Sequence, residues 1–415
     1  MLYAKLTKAV YGTLIGGILF YEKLKKQLED WDFEMNPYDN CVFNKVVDGN
    51  QVTFCFFVDA CKISHMDQEV IDDILTDLNN VFATKKKRVS VAKGSAHDYL
   101  GITINYGEEG KVKFTMYDFL KDIIAEAPAD MNGIAVNPAR DNLFETHEDT
   151  SPPLDMKTAN LFHRTTARLL FAAKRARPDI QVAIAYLCTR VKGPNEADYV
   201  KLARVIRYLR RTMHLPLVLG WDKSGTIRWN IDASFAVHKD MRSHTGAVLT
   251  LGQGALLSMS RKQKINTRSS TEAELIEVDS TITFIEWVQL FVECQFEKLP
   301  RHSVLHKIGN QTALEQDNTS AIQLERNGKQ SSTKRTRHIN IKYFYITNKV
   351  KEEGLKIVHC PTKSMCSDYL TKSLGGNLFY THRNTIMGIN AVEESEYANA
   401  YNKAKNKANE AQGVN

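Results

Sequence analysis

The stretch Ile227-Arg-Trp-Asn-Ile-Asp232 alternates apolar and polar side chains and ends on an acid. A period of two places Ile227, Trp229 and Ile231 on one face and Arg228, Asn230 and Asp232 on the other, as in a strand buried on one side. Downstream, Ala247-Val-Leu-Thr-Leu251 and Ala255-Leu-Leu-Ser-Met259 read as a strand pair turned through Gly252-Gln-Gly254. Ser270 or Thr271 then opens a long helix containing Leu275, Ile276, Ile282, Ile285 and Val288. A strand-to-helix step surrounds Asp317, a helix runs from about 338 to 353 and stops at Gly354, and Leu355-Lys-Ile-Val358 reads as a last strand. Residues 221–375 therefore read as one α/β unit.

Working upstream, 156–220 is helical, and its last helix is the most legible. Asn195 can cap it, Glu196 and Asp198 suit the positive end of its dipole, and Leu202, Val205, Ile206 and Leu209 make the apolar stripe. Lys201, Arg204, Arg207 and Arg211 recur on the other side, either as an ordinary solvated face or as a surface for a polyanion. Residues 126–155, with Pro128, Pro138, Pro152 and Pro153 and little periodicity, read as an exposed linker. Residues 1–125 mix helix and strand in an α+β unit. Leu24, Leu28 and Trp31 mark a helix, Gln51–Val58 a central strand apolar on both faces, and Asp98–Tyr106 another strand. Residues 376–415 read as a polar tail, rich in Ala, Asn and Lys from Glu393.

At roughly 150 residues per domain, 415 residues accommodate two or three globular units. Hydrophobic residues at 43% and charged residues at 25% exclude a mainly disordered or polytopic membrane protein. The net charge of +7 mildly favours a polyanionic partner. Seven cysteines without a CxxC pair indicate a reduced chain inside the cell, in cytoplasm or nucleus. The apolar run Ala9–Phe20 follows Lys5 and Lys8 but is shorter than the roughly 20 residues a bilayer span needs, and no small-residue cleavage site follows it. The expectation is a core helix, with no secretion signal and no membrane partner.

Four acids stand out: Asp232, Glu274, Asp317 and Asp368. Phosphodiester hydrolysis needs such a set, because two Mg²⁺ ions about 3.5–4 Å apart activate water and stabilise the leaving oxygen, and Mg²⁺ prefers carboxylate oxygens. Each acid also has a structural reading. Thr271 and Glu274 have capping-box spacing, Asp317 can cap the following helix, and Asp368 can be a surface acid.

Residues 221–374 resemble the ribonuclease H domain of copia-type LTR-retrotransposon polyproteins. The motifs, in order, are Asp232-Ala-Ser-Phe235, Ser269-Ser-Thr-Glu-Ala-Glu274, Asp317-Asn-Thr-Ser-Ala-Ile322, Arg335-Thr-Arg-His-Ile339 and Asp368-Tyr-Leu-Thr-Lys372. Leu6-Thr-Lys-Ala-Val-Tyr-Gly12, Phe57-Val-Asp-Ala60 and His97-Asp-Tyr-Leu-Gly-Ile102 resemble the palm of the same family's reverse transcriptase. Arg175-Ala-Arg-Pro-Asp-Ile180 and Arg204-Val-Ile-Arg-Tyr-Leu209 resemble its following helical region. The resemblance implies a palm remnant over 1–125, the linker, a helical thumb or connection over 156–220, and a ribonuclease H-like fold with a mixed five-stranded sheet over 221–375. It implies that Asp232, Glu274, Asp317 and Asp368 hold two Mg²⁺, or Mn²⁺. Glu272 competes for the second position, and His338 either contacts substrate or fixes a helix start.

The polymerase half departs from the family. The Tyr-x-Asp-Asp turn appears as Phe57-Val-Asp-Ala60, so Asp59 stands without the second acid, and the sequence begins after the segment expected to carry the palm's other metal-binding Asp. The expected activity is hydrolysis of the RNA strand of RNA–DNA hybrids, with polymerisation absent from this chain unless another Pol chain completes it. The rival expectation is a non-catalytic nucleic-acid-binding remnant. In the first case Lys201, Arg204, Arg207 and Arg211 contact the hybrid. Apolar surface is expected around Val10, Leu14 and Phe20.

Overall fold

A computed structural model describes the chain except for residues 1–9, 11, 85–86, 148–149, 301–302, 310, 329–339, 353 and 412–415. It divides into two compact units: Met1–Gly94 with Glu286–Gly309, and Ser95–Ile285 with Asn310–Asn415. Neither boundary follows the expected break near residue 125.

In the first unit, α1 (Leu14–Asp30) leads into an antiparallel meander of β1 (Glu34–Asn36), β2 (Asp39–Val47), β3 (Asn50–Phe57) and β4 (Ala60–Ser64), followed by α2 (Gln68–Phe82). The β2–β3 turn is Asp48-Gly49, both at positive φ (49° and 79°), the backbone that a tight two-residue hairpin requires. Phe43, Val52, Phe54 and Phe56 pack with Leu24, Leu28 and Leu78 of the two helices. Burial alternates along β3, leaving Phe57 62% exposed, so the strand is covered on one face and not on both as its composition suggested. α1 is likewise one-sided. Its second half enters the core, while Leu14, Ile15, Ile18 and Leu19 are exposed and the Phe20 ring packs at a tilt against Phe82.

The second unit opens with β5 (Ala96–Tyr99), β6 (Ile102–Asn105) and β7 (Lys111–Thr115). The single strand expected over 98–106 is two, because Leu100 and Gly101 both take positive φ (52° and 77°) and turn the chain back. α3 (Tyr117–Ala125), α4 (Met156–Ala173), α5 (Gln181–Cys188) and α6 (Glu196–Thr212) follow, then β8 (Leu217–Trp221), β9 (Thr226–Ser234), β10 (Arg242–Thr250), β11 (Gly252–Gln253) and β12 (Leu257–Asn266). α7 (Ser270–Phe296) contributes its residues up to Ile285. β13 (Gln311–Gln316), α8 (Thr319–Asn327), α9 (Asn340–Glu352), β14 (Lys356–His359), α10 (Asp368–Thr371), α11 (Gly376–Met387) and α12 (Ala391–Ala411) complete it. One sheet has the order β12-β10-β9-β13-β14, antiparallel across β12, β10 and β9 and parallel across β9, β13 and β14. The other, β11-β8-β7-β6-β5, is antiparallel. Pairing of β7 with β8 ties residues 111–114 to 217–220. That is why 95–125 belongs with the later half of the chain, a long-range pairing that local periodicity does not reveal.

The segment read as a solvated linker is packed. Met131, Ala135, Ala139 and Leu143 are buried in the main core. Backbone carbonyls outside helix or sheet need partners when buried, and the basic face of α6 supplies them. Arg207 Nε donates to Asn132 O at 2.9 Å and its Nη2 to Asp130 O at 2.7 Å. Arg210 donates to the Asn132 side chain, Arg204 to that of Asn137, and Lys201 to Glu145 O. The α6 N-terminus has the expected capping box: Asn195 Oδ1 accepts from Asp198 N at 2.9 Å and Asp198 Oδ2 from Asn195 N at 3.2 Å. The polar tail is also a misreading for 376–389, since Phe379, Ile386, Met387 and Ile389 are buried. No helix among the described residues is long and apolar enough to cross a membrane, and the seven cysteines form no disulfide.

At the centre of this unit Arg177 and Asp179 are completely buried. Arg177 Nε and Nη2 donate to the two Asp179 oxygens at 2.8 and 2.6 Å, and its remaining donors reach Thr212 O and Oγ1 at 3.0 and 2.8 Å. Tyr208 Oη donates to Asp179 Oδ2 at 2.7 Å, and Tyr369 Oη, from α10, to Asp179 O at 2.8 Å. Removing one partner leaves an uncompensated buried charge, at a cost of about 3–5 kcal/mol. Asp179→Asn is expected to lower stability by that order in urea denaturation, well beyond the effect of Asp222→Asn at the surface pair with Arg228.

Candidate metal centre

Asp232 sits near the end of β9, which pairs in parallel with β13 through Asn230 and Glu315. Continuing that register brings Asp317, just beyond β13, beside Asp232. Glu274 projects from near the start of α7, just after its first turn. Ligand oxygens from Asp232, Glu274 and Asp317 all lie within 4.8 Å of one another. Asp232 and Glu274 are only 6% and 4% exposed.

The structural readings of these acids fall to their neighbours. Ser269 Oγ accepts from Glu272 N at 3.2 Å while Glu272 Oε2 accepts from Arg268 N at 2.7 Å, so Ser269 and Glu272, not Thr271 and Glu274, cap α7. α8 is capped by Asn318, whose Oδ1 accepts from Ser320 N and Ala321 N at 3.1 Å each. Glu274 and Asp317 are thereby left for the cluster. Asp317 accepts from Thr362 Oγ1 at 2.8 Å.

Asp368 lies beside this trio. It is 3% exposed, acts electrostatically on Asp232, and pairs with Lys372 at 2.8 Å. Thr371 Oγ1 donates to Asp232 Oδ2 at 2.6 Å. α10 reaches this position because Gly246, opposite Asp232 in the ladder, has no side chain: a Cβ there would lie 2.6 Å from Thr371 Cγ2 and 2.8 Å from Ser367 O. A buried polar chain holds the helix from the other side. His238 Nε2 meets His244 Nδ1 at 3.0 Å, His244 Nε2 meets Ser260 Oγ at 2.8 Å, and Ser260 Oγ donates to Leu370 O at 2.8 Å. Burial lowers the pKa of both imidazoles, that of His238 to about 4, so the chain links neutral rings.

Burial dominates the electrostatics. Desolvation first, then the Asp368 charge, pushes Asp232 up to about 7. Desolvation, followed by Asp232 and Asp317, holds Glu274 well above the ordinary carboxylate range. The cluster is a concentration of hard oxygen donors that repel one another when ionised, and Glu274 Oε2 is buried without a hydrogen-bond partner. This donor set suits a divalent cation such as Mg²⁺.

Other expected site residues lie elsewhere. His338 and the motif Arg335–Ile339 fall outside the described residues, as does most of Leu6–Gly12. Asp59 is exposed on the turn between β3 and β4, next to Val58 at φ 55°, and joins no group of three metal-capable side chains among the described residues. Of the basic quartet, Lys201, Arg204 and Arg207 are half-buried and hydrogen bonded to residues 130–145, and Arg211 is exposed. Thr371, Lys372 and Thr362 went unassigned in the sequence, although the first two stand inside the motif that supplied Asp368.

Residues 2–139 match the family described as reverse transcriptase (RNA-dependent DNA polymerase). Over 397 residues the chain is 27% identical to the retrovirus-related Pol polyprotein from transposon RE1 of Arabidopsis thaliana, covering 94% of this chain and 25% of that protein. It is 25% identical over 381 residues to the corresponding polyprotein from transposon TNT 1-94 of Nicotiana tabacum, covering 90% of this chain and 27% of that protein. These matches, over about nine tenths of the chain, support a copia-type Pol fragment. The chain spans about a quarter of the length of these Pol relatives. A 277-residue alignment with the putative transposon Ty5-1 protein of Saccharomyces cerevisiae, at 23% identity, covers 66% of this chain and 86% of that protein. No solved structure matches the chain.

The division of labour between Glu272 and Glu274 is open to a direct test. In calorimetric titration with Mn²⁺, Glu274→Gln is expected to weaken binding by at least about tenfold, the equivalent of 1.4 kcal/mol. Glu272→Gln is expected to bind as the parent does and to lower only thermal stability.

Proposed function

We propose that the cluster of Asp232, Glu274, Asp317 and Asp368 hydrolyses the RNA strand of RNA–DNA hybrids, within a ribonuclease H-like domain of this Pol chain. The observation that carries this reading is the 4.8 Å grouping of Asp232, Glu274 and Asp317, delivered by three separate elements. The strand order β12-β10-β9-β13-β14, with its parallel and antiparallel parts, is in keeping with it.

Asp232 and Asp317 would be the central ligands of two Mg²⁺, with Glu274 and Asp368 on either side. The chemistry such ions would supply there is a water acidified at neutral pH and charge stabilisation of the departing oxygen. The protein's part is to place the donors. Thr371 and Thr362 orient one oxygen each of Asp232 and Asp317, leaving the others directed to the site. Lys372 holds Asp368 and supplies one positive charge next to an otherwise acidic pocket. Water adds to phosphorus, the bond to the leaving strand oxygen breaks, and no covalent protein intermediate is required.

Polymerisation is not expected of this chain by itself, because Ala60 replaces an acid at the Phe57–Ala60 turn. That substitution also favours a second reading, a nucleic-acid-binding remnant without catalysis, which predicts salt-sensitive hybrid binding indifferent to divalent cations.

With a labelled RNA–DNA hybrid and Mg²⁺ or Mn²⁺, the purified chain is expected to cut the RNA strand. Asp232→Asn is expected to reduce the rate by about 10²–10³-fold, the equivalent of losing several kcal/mol of transition-state stabilisation. An uncut hybrid, or equal rates in the two proteins, rejects the hydrolytic reading in favour of the binding remnant.

A further inference from the structure

The edge strand β12 borders a cavity of about 380 Å³ in the second unit, lined by Lys174, Arg175 and Arg261 above an apolar floor that includes Met259 and Phe284. No carboxylate lines it. Among the described residues none of the three cations has a carboxylate ion pair. Lys174 Nζ makes a single long contact, 3.5 Å, to Ser258 O. The Arg175 guanidinium stacks 3.6 Å above the Phe171 ring, and Arg261 donates to Ser280 O and Oγ at 2.8 and 2.9 Å. The carboxyl close to Arg261 is Glu277, which is fully buried and, through desolvation, held well above the ordinary carboxylate range. It lies off the cavity wall and makes no ion pair with Arg261. Desolvation, with Arg261 as a like-charged neighbour, lowers the pKa of Lys174. Three cations line one cavity with no carboxylate on its wall and no ion pair among the described residues, which leaves their charge available to an anion from outside.

We propose that Lys174, Arg175 and Arg261 bind the phosphodiester backbone of the nucleic acid whose RNA strand the carboxylate cluster cuts. The sheet register supplies the alignment. Ser260, on the cavity wall, shares a rung with Gly246 and Asp232. Two strand spacings separate the wall from the catalytic acid, about 10 Å, on the order of three nucleotides along one strand. The cavity lies at the open edge of the sheet, where a continuous chain can pass. The cations are charge-assisted donors suited to phosphate oxygens, and the exposed Phe284 ring suits a base or sugar face. The assignment rests on the hydrolytic reading for the identity of the strand, but not for its charge.

The test is fluorescence anisotropy with a labelled RNA–DNA hybrid, in the full chain carrying Asp232→Asn so that the hybrid stays intact. Adding Lys174→Gln and Arg175→Gln together is expected to weaken binding at least tenfold near 0.1 M salt and to reduce the salt slope by about 2, one for each phosphate contact. Both side chains are exposed, so an unchanged melting curve serves as the folding control. Unchanged affinity and slope overturn the proposal, including the case in which a mononucleotide still stabilises the protein and so marks the cavity as a small-anion site. Failure of the catalytic reading is separable. A hybrid left uncut by the parent chain but bound through Lys174 and Arg175 rejects hydrolysis and leaves this site standing, whereas cutting with unchanged binding in the double variant does the reverse.

Discussion

The buried ion pair between Arg177 and Asp179 is the constraint on which the larger unit depends. Neither charge reaches solvent, and every strong donor and acceptor of the pair is met by Thr212, Tyr208 or Tyr369. An arrangement of this kind contributes less to net stability than to uniqueness, because few alternative packings satisfy all its members at once. Its reach extends to the acids. Tyr369 follows Asp368 directly, so the hydrogen bond from Tyr369 to Asp179 O fixes the short helix that carries an acid and Thr371 to the cluster. Gly246 below that helix, and the His238–His244–Ser260 chain beside it, hold the same element from two further directions.

Placing carboxylates against one another costs free energy, and the surroundings show how this chain accommodates it. Hydrogen bonds from Thr371 and Thr362 and the ammonium of Lys372 stabilise the acids locally, while desolvation leaves Asp232 and Glu274 with a strong affinity for protons. A divalent cation relieves the same repulsion more effectively than a proton does. The capping duties that could have claimed Glu274 and Asp317 are performed by Glu272, two positions before the first, and by Asn318, directly after the second.

Much of the second unit was legible in the sequence. The alternation around Ile227–Asp232, the β10–β12 pair, the strand-to-helix step at Asp317 and the Asn195 cap are local features, and local periodicity found them. The four acids were named by motif; parallel pairing of β9 with β13 brings Asp232 and Asp317 together, whereas Glu274 and Asp368 arrive on α7 and α10. What stayed hidden was long-range. Pairing of β7 with β8 moved residues 95–125 into the later unit, and packing against the α6 cations turned a proline-rich linker into part of the core. Lys201, Arg204 and Arg207 looked like a polyanion surface because a helical wheel shows which side is basic but not what covers it. Leu100-Gly101 split a strand because two positive φ values outweighed the apolar pattern on either side.

The central claim is that the acids form one divalent-cation site. Soaking or co-crystallising the chain with Mn²⁺ and collecting anomalous diffraction tests it without reference to turnover. The account expects two anomalous peaks about 3.5–4 Å apart, ligated by Asp232 and Asp317 with Glu274 and Asp368 alongside, and their loss in Asp232→Asn. Mn²⁺ bound elsewhere, with no density among these four carboxylates at millimolar concentration, contradicts it.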